Sequence, residues 1–147
     1  MKLSKLLPFF PLIFVSFFMF YMKFGAIDES SFLYTSSKMV PALFSLLAVA
    51  LFLASVVRKN SLTLALTRRF YKKELNSKEE AFLAKSDLYW FFVTTLNTFI
   101  ILFLTLYASN TTWAIYTSIG WYLYLFFALI LQILYGVFNK INVETKE

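Results

Sequence analysis

Four uncharged apolar stretches, residues 6–22, 39–57, 88–108 and 113–138, are each about as long as the ~20-residue helix that crosses a ~30 Å hydrocarbon core. In lipid a backbone must satisfy its own hydrogen bonds, so such stretches become helices. The expected fold is an all-α integral membrane protein: one domain, residues 1–147, forming a four-transmembrane-helix bundle with a basic helical cytoplasmic loop, residues 58–87, between helices 2 and 3. With 60% hydrophobic residues, 21% of the chain aromatic, too little polar surface remains to face water. Phe outnumbers Trp 19 to 3 and crowds the first and third stretches, where it reads as lipid-facing bulk.

The cations set the orientation. Lys2 and Lys5 precede the first stretch, Arg58, Lys59, Arg68, Arg69, Lys72, Lys73, Lys78 and Lys85 fill the middle loop, and Lys140 and Lys146 follow the last. Lys23 and Lys38 fall on the opposite side, in an outer loop that also carries Asp28 and Glu29. Because a membrane-proximal Lys/Arg excess stays inside, the chain is expected in the cytoplasmic (inner) membrane with both termini and the middle loop in the cytoplasm. The first stretch resembles a secretory signal in its basic start. Pro8 and Pro11 near its beginning, its length, and bulky Phe24 at the candidate cleavage site predict instead a retained span. Tyr89 and Trp90 at the inner end of span three, Tyr107 and Trp113 at its outer exit, and Tyr135 near the inner end of span four read as interfacial aromatics. The sequon Asn110-Thr111-Thr112 lies too close to the membrane for glycosylation.

The net charge of +6 sits beside hydrophobic spans, so anionic lipid and topology account for it and nucleic acid is not an expected partner. The chain has neither Cys nor His, which removes thiol and imidazole nucleophiles, disulfides, zinc sites and most haem ligation. No cofactor or metal is expected, and Asp87, Glu79 and Glu80 read as acids near a helix start rather than a catalytic pair.

Within the middle loop, Leu62, Leu66 and Phe70, with Ala65 and Tyr71 beside them, recur at helical spacing, while Arg68, Arg69, Lys72 and Lys73 cover much of the remaining surface. This predicts a basic amphipathic helix on the inner face, with those four cations contacting anionic lipid or a partner. Ser77 followed by Glu80 forms a capping box that predicts a new helix running without interruption from Lys78 through span three.

Polar side chains inside lipid are costly and mark helix contacts or paths. Thr94, Asn97, Thr98 and Thr105 share one face of span three, and Asp87 extends that stripe inward. Span four answers with Ser118, Ala128, Gln132, Gly136 and Asn139, and the antiparallel arrangement predicts an Asn97–Gln132 hydrogen bond. Ala50 and Ala54 on span two, and Ala128 and Gly136 on span four, are expected helix-packing positions. These features point to a non-enzymatic membrane subunit, a homo-oligomer or an accessory to another protein, with the basic loop on a partner or anionic lipid. The alternative is a homo-oligomeric passive channel lined by the span-three stripe, since no Asp, Glu or Arg lies deep in any span to support proton coupling.

Overall fold

A computed structural model describes residues 17, 21, 32–71 and 74–139. Apart from Phe17 and Tyr21, both exposed, the expected first span lies outside these residues, as do Lys72 and Lys73. Among the described residues the structure is helical, with no strand: α1 (Phe32–Ser37), α2 (Val40–Arg58), α3 (Leu62–Phe70), α4 (Ser77–Tyr107), α5 (Asn110–Ile115), a π-helical turn (Tyr116–Gly120) and α6 (Trp121–Phe138). Three helical stretches, Val40–Arg58, Ser77–Tyr107 and Asn110–Phe138, are long and apolar enough to cross a membrane. The outer loop expected before Lys38 contains the short helix α1.

Local chemistry sets the helix ends. Pro41 occupies the first turn of α2, where its missing N–H costs no intrahelical bond. At the other end Lys59 takes a left-handed φ of 52°, and Asn60 N–H reaches back to the Ser55 carbonyl at 3.2 Å, a Schellman closure in a residue that carries a Cβ. Helix α4 begins one residue away from the expected box. Asn76 is the cap: its Oδ1 accepts from Glu79 N–H at 2.8 Å while Glu79 Oε2 accepts from Asn76 N–H at 2.9 Å. Asn caps as well as Ser, and Glu80 instead pairs with Arg68 at 2.6 Å.

Helix α4 is polar inward and apolar outward. Phe92, Leu96, Phe99, Phe103 and Leu106 follow one another at spacings of three and four and are all exposed, whereas Thr94, Asn97, Thr98 and Ile101 are buried. A soluble helix would reverse this, so the pattern fits lipid as the solvent.

The chain divides into two compact units, one formed by Met1–Ser45 and Asn97–Tyr124, the other by Leu46–Leu96 and Leu125–Glu147. In the first, Trp113 and Ala114 are packed by Val40, Phe44 and Leu104, and Ala42, Ile101 and Trp121 by Leu102, Tyr116 and Tyr122. Trp113 is therefore not an interfacial aromatic. It is fully buried, edge-on to Tyr34, and Lys38 Nζ lies 5.6 Å from its ring centroid while donating to Asn110 Oδ1 at 3.0 Å. The cation that the sequence places in the outer loop thus lies over the indole. In the second unit Phe52 stacks on Trp90, Phe82 stacks on Tyr135, and Tyr89 Oη donates to the Ala128 carbonyl at 2.7 Å.

Candidate functional site

The densest polar constellation of the second unit is built on Asp87, which is 2% exposed. Its Oδ1 accepts from Thr63 N–H at 2.9 Å and from Thr63 Oγ1 at 2.5 Å. Its Oδ2 accepts from Leu62 N–H at 2.9 Å and from the Ser55 hydroxyl. Leu62 and Thr63 are the first two residues of α3, so Asp87 caps a helix other than its own, 24 and 25 residues away in sequence. Ser61 completes the cap by accepting from Leu64 N–H at 3.1 Å, and the Ala65 N–H closes the first intrahelical bond on the Ser61 carbonyl. All four leading N–H groups of α3 are thereby satisfied.

This matters because a nine-residue helix is marginal by itself. A carboxylate at its N-terminus supplies both acceptors and a favourable interaction with the helix dipole. The Ser55 hydroxyl, 7% exposed near the end of α2, has the Asp87 carboxylate and the Asn60 carbonyl within reach and accepts in turn from Leu62 N–H. The left-handed turn at Lys59 brings Ser61 and Leu62 back onto Ser55. Asp87 precedes the twenty residues, 88–107, that suffice to cross the ~30 Å core, which leaves it beyond the hydrocarbon. Burial acts to raise its pKa, but the hydrogen bonds from Ser55 and Thr63 outweigh that effect and hold the carboxyl below its ordinary 3.8.

What the latch presents is the outer side of α3. No residue of this helix is buried; Ala65, Leu66, Arg68, Arg69 and Phe70 are all exposed. The helix stops at Phe70, with Tyr71 extended and its N–H on the Thr67 carbonyl, so Tyr71 lies past the apolar stripe. Arg68 is held by Glu80, which leaves Arg69 as the cation of α3 without an ion pair among the described residues.

The intramembrane polar residues form a second network, in the first unit. Tyr116 Oη donates to Asn97 Oδ1 at 2.8 Å, Asn97 Nδ2 reaches Ser45 Oγ at a long 3.4 Å, and Ser45 Oγ shares a 2.7 Å hydrogen bond with Thr98 Oγ1. Gly120 makes this possible. A Cβ there would stand 2.8 Å from the Tyr116 ring, so glycine lets the ring lie against the π turn, where Trp121 N–H reaches the Tyr116 carbonyl. The partners of Asn97 are thus Ser45 and Tyr116 rather than Gln132, which belongs to the other unit and lines a cavity there. Thr94 and Thr105 donate back to the Trp90 and Ile101 carbonyls of their own helix, each at 2.8 Å.

Of the small residues, Ala128 is buried at the Tyr89 contact and Gly136 is buried against the Phe82 ring. Ala50 is exposed and Ala54 half-buried. The role of Asp87 was hidden in the sequence because its partners are distant; the paired Ser55 and Ser61 around a basic turn were the available signal. Comparison with protein-family models, curated proteins and solved structures finds no match to this chain.

Proposed function

We propose that this protein is a non-enzymatic membrane subunit, assembling with copies of itself or with another protein, and that the inner loop is its contact surface. The observation that carries this reading is the Asp87 latch. It fixes the start of α3 and leaves Leu66, Arg69 and Phe70 exposed on a helix with no buried residue. A rigidly held amphipathic surface costs less to order on binding than a free loop. In this reading the loop faces the cytoplasm, the side that the distribution of Lys and Arg favours, and the open Ala50 position on α2 permits close approach of another helix.

A passive pore along the α4 stripe has less support. The hydroxyls of Thr94 and Thr105 back-bond to their own helix, and Asn97 and Thr98 are tied to Ser45 and Tyr116, as expected of side chains that fix helix register. Crosslinking of the full chain in native membranes, followed by sizing in mild detergent, tests the subunit reading. Recovery of a defined homo-oligomer or a stoichiometric complex is expected; a lone monomer under all crosslinking conditions contradicts it.

A further inference from the structure

The second unit contains a cavity of about 950 Å³ lined by α4 and α6. Lys78, Phe82, Lys85, Tyr89 and Phe92 of α4 line it at spacings of three and four, so they form one stripe that carries its two cations, with Phe82 between them, in the first turns and Tyr89 and Phe92 beyond. Among the described residues neither lysine has an ion-pair or hydrogen-bond partner, and both are exposed. Gln132, 9% exposed, also lines the cavity, and its amide has no hydrogen-bond partner among the described residues. Two cations without ion pairs, a sequestered polar amide, and the aromatic Tyr89 and Phe92 beyond Lys85 match an amphiphile with an anionic head.

The length of α4 supplies the level. Its 31 residues extend about 46 Å at ~1.5 Å each, close to the ~40–45 Å of a bilayer with its headgroup layers included. With Tyr107 at one edge of the ~30 Å hydrocarbon, Lys85 lies about 33 Å along the helix, at the headgroup layer of the other leaflet, and Lys78 about two turns farther out. The volume falls within the ~300–1,000 Å³ range of small-molecule sites.

We propose that this cavity is a binding site for an anionic phospholipid of the inner leaflet. The lysines hold the phosphate, Gln132 donates to the ester region, and an acyl chain lies along Tyr89 and Phe92. Zwitterionic lipids bring a cationic group to the same two ammoniums and are disfavoured. The site rests on the membrane placement of α4 described above, but not on the chain having a protein partner.

Native mass spectrometry of the full chain in mild detergent tests it, using phosphatidylglycerol and phosphatidylcholine with identical acyl chains as probes. The wild type is expected to retain one phosphatidylglycerol preferentially. Each of Lys78→Gln and Lys85→Gln should lower that preference about fivefold, the effect of ~1 kcal/mol per cation at a membrane surface. Arg58→Gln with Lys59→Gln, which removes the same charge outside the cavity, should leave it within about twofold. Ala81→Trp, which fills the cavity with both lysines intact, should abolish retention. Equal retention of the two lipids, an equal effect of the Arg58/Lys59 pair, retention in Ala81→Trp with helicity preserved, or displacement by excess inorganic phosphate would each overturn the site. The same spectra report oligomeric state. A monomer that keeps the lipid preference leaves this site standing and contradicts only the homo-oligomeric form of the subunit reading, and an oligomer without the preference contradicts this site alone.

Discussion

Replacing Asp87 with Asn keeps the size of the side chain and removes its charge, which isolates what the latch contributes. Four donors converge on the carboxylate: two backbone N–H groups, at 2.9 Å each, and the hydroxyls of Thr63 and Ser55. An amide offers one acceptor oxygen to this set and turns its NH2 toward the rest. Hydrogen bonds to charged groups contribute ~1.5–3 kcal/mol each and neutral ones ~0.5–1.5, and a lost cap costs ~0.5–2. Partial access of water to the start of α3 recovers some of this, so the net loss should be about 2–3 kcal/mol, well short of the pairwise sum. If α3 opens as a local unit, amide exchange at Leu62, Thr63 and Leu64 should accelerate about 30- to 150-fold. Hydrogen exchange read by mass spectrometry on the full chain in detergent measures this, with peptides from the middle of α4 as the internal reference. Adding Ser55→Ala should cost less in the Asp87→Asn background than in the wild type, because the two side chains share one hydrogen bond. Unchanged exchange in α3, or an equal increase in α3 and mid-α4, would refute the assignment of Asp87 as its cap.

The same carboxylate sets a pH response: with its folded pKa below 3.8, its contribution is fully present above about pH 4 and is lost as pH falls through the lowered value. Thermal melting of the wild type should therefore be insensitive to Asp87 from about pH 7 to 5 and fall below about pH 4, with a smaller fall in Asp87→Asn. Lys59→Gly, which relieves a left-handed φ, should stabilise the protein by about 0.5–1 kcal/mol, read as a raised melting temperature; a lowered one would contradict the turn geometry. Gly120→Ala should displace the Tyr116 ring and break its hydrogen bond to Asn97; a double-mutant cycle with Tyr116→Phe, which keeps the ring but not the hydroxyl, should show a coupling of about 1 kcal/mol for that bond while the steric cost persists.

The long helices were legible because their signal is one-dimensional: length, absence of charge and hydropathy are read along the chain. Helix α3 was legible from the spacing of Leu62, Leu66 and Phe70, and the continuity of α4 from the lack of Gly or Pro after Ser77. Adjacent equivalents defeat such reading. Asn76 and Ser77 are both good caps, Glu79 and Glu80 both good box partners, and the choice fell to the Arg68–Glu80 pair. Trp113 was misplaced because hydropathy locates the end of a span without saying which face of the helix its residues occupy. The cap by Asp87 and the Ser45–Thr98 bond join residues 24 and 53 apart, and no local periodicity encodes such pairs. The π turn had a local sign in Gly120, but its consequence, the placement of the Tyr116 hydroxyl, depends on packing around the ring.

The account stands on α3 and its latch lying at the cytoplasmic surface of a membrane-spanning chain. Since the protein has no Cys, single substitutions at exposed Glu74, between α3 and α4, and exposed Thr111, after α4, give unambiguous reporters. A membrane-impermeant maleimide applied to intact cells should label Thr111→Cys and leave Glu74→Cys unlabelled until the membrane is opened. Labelling of Glu74→Cys in intact cells with Thr111→Cys protected would contradict it.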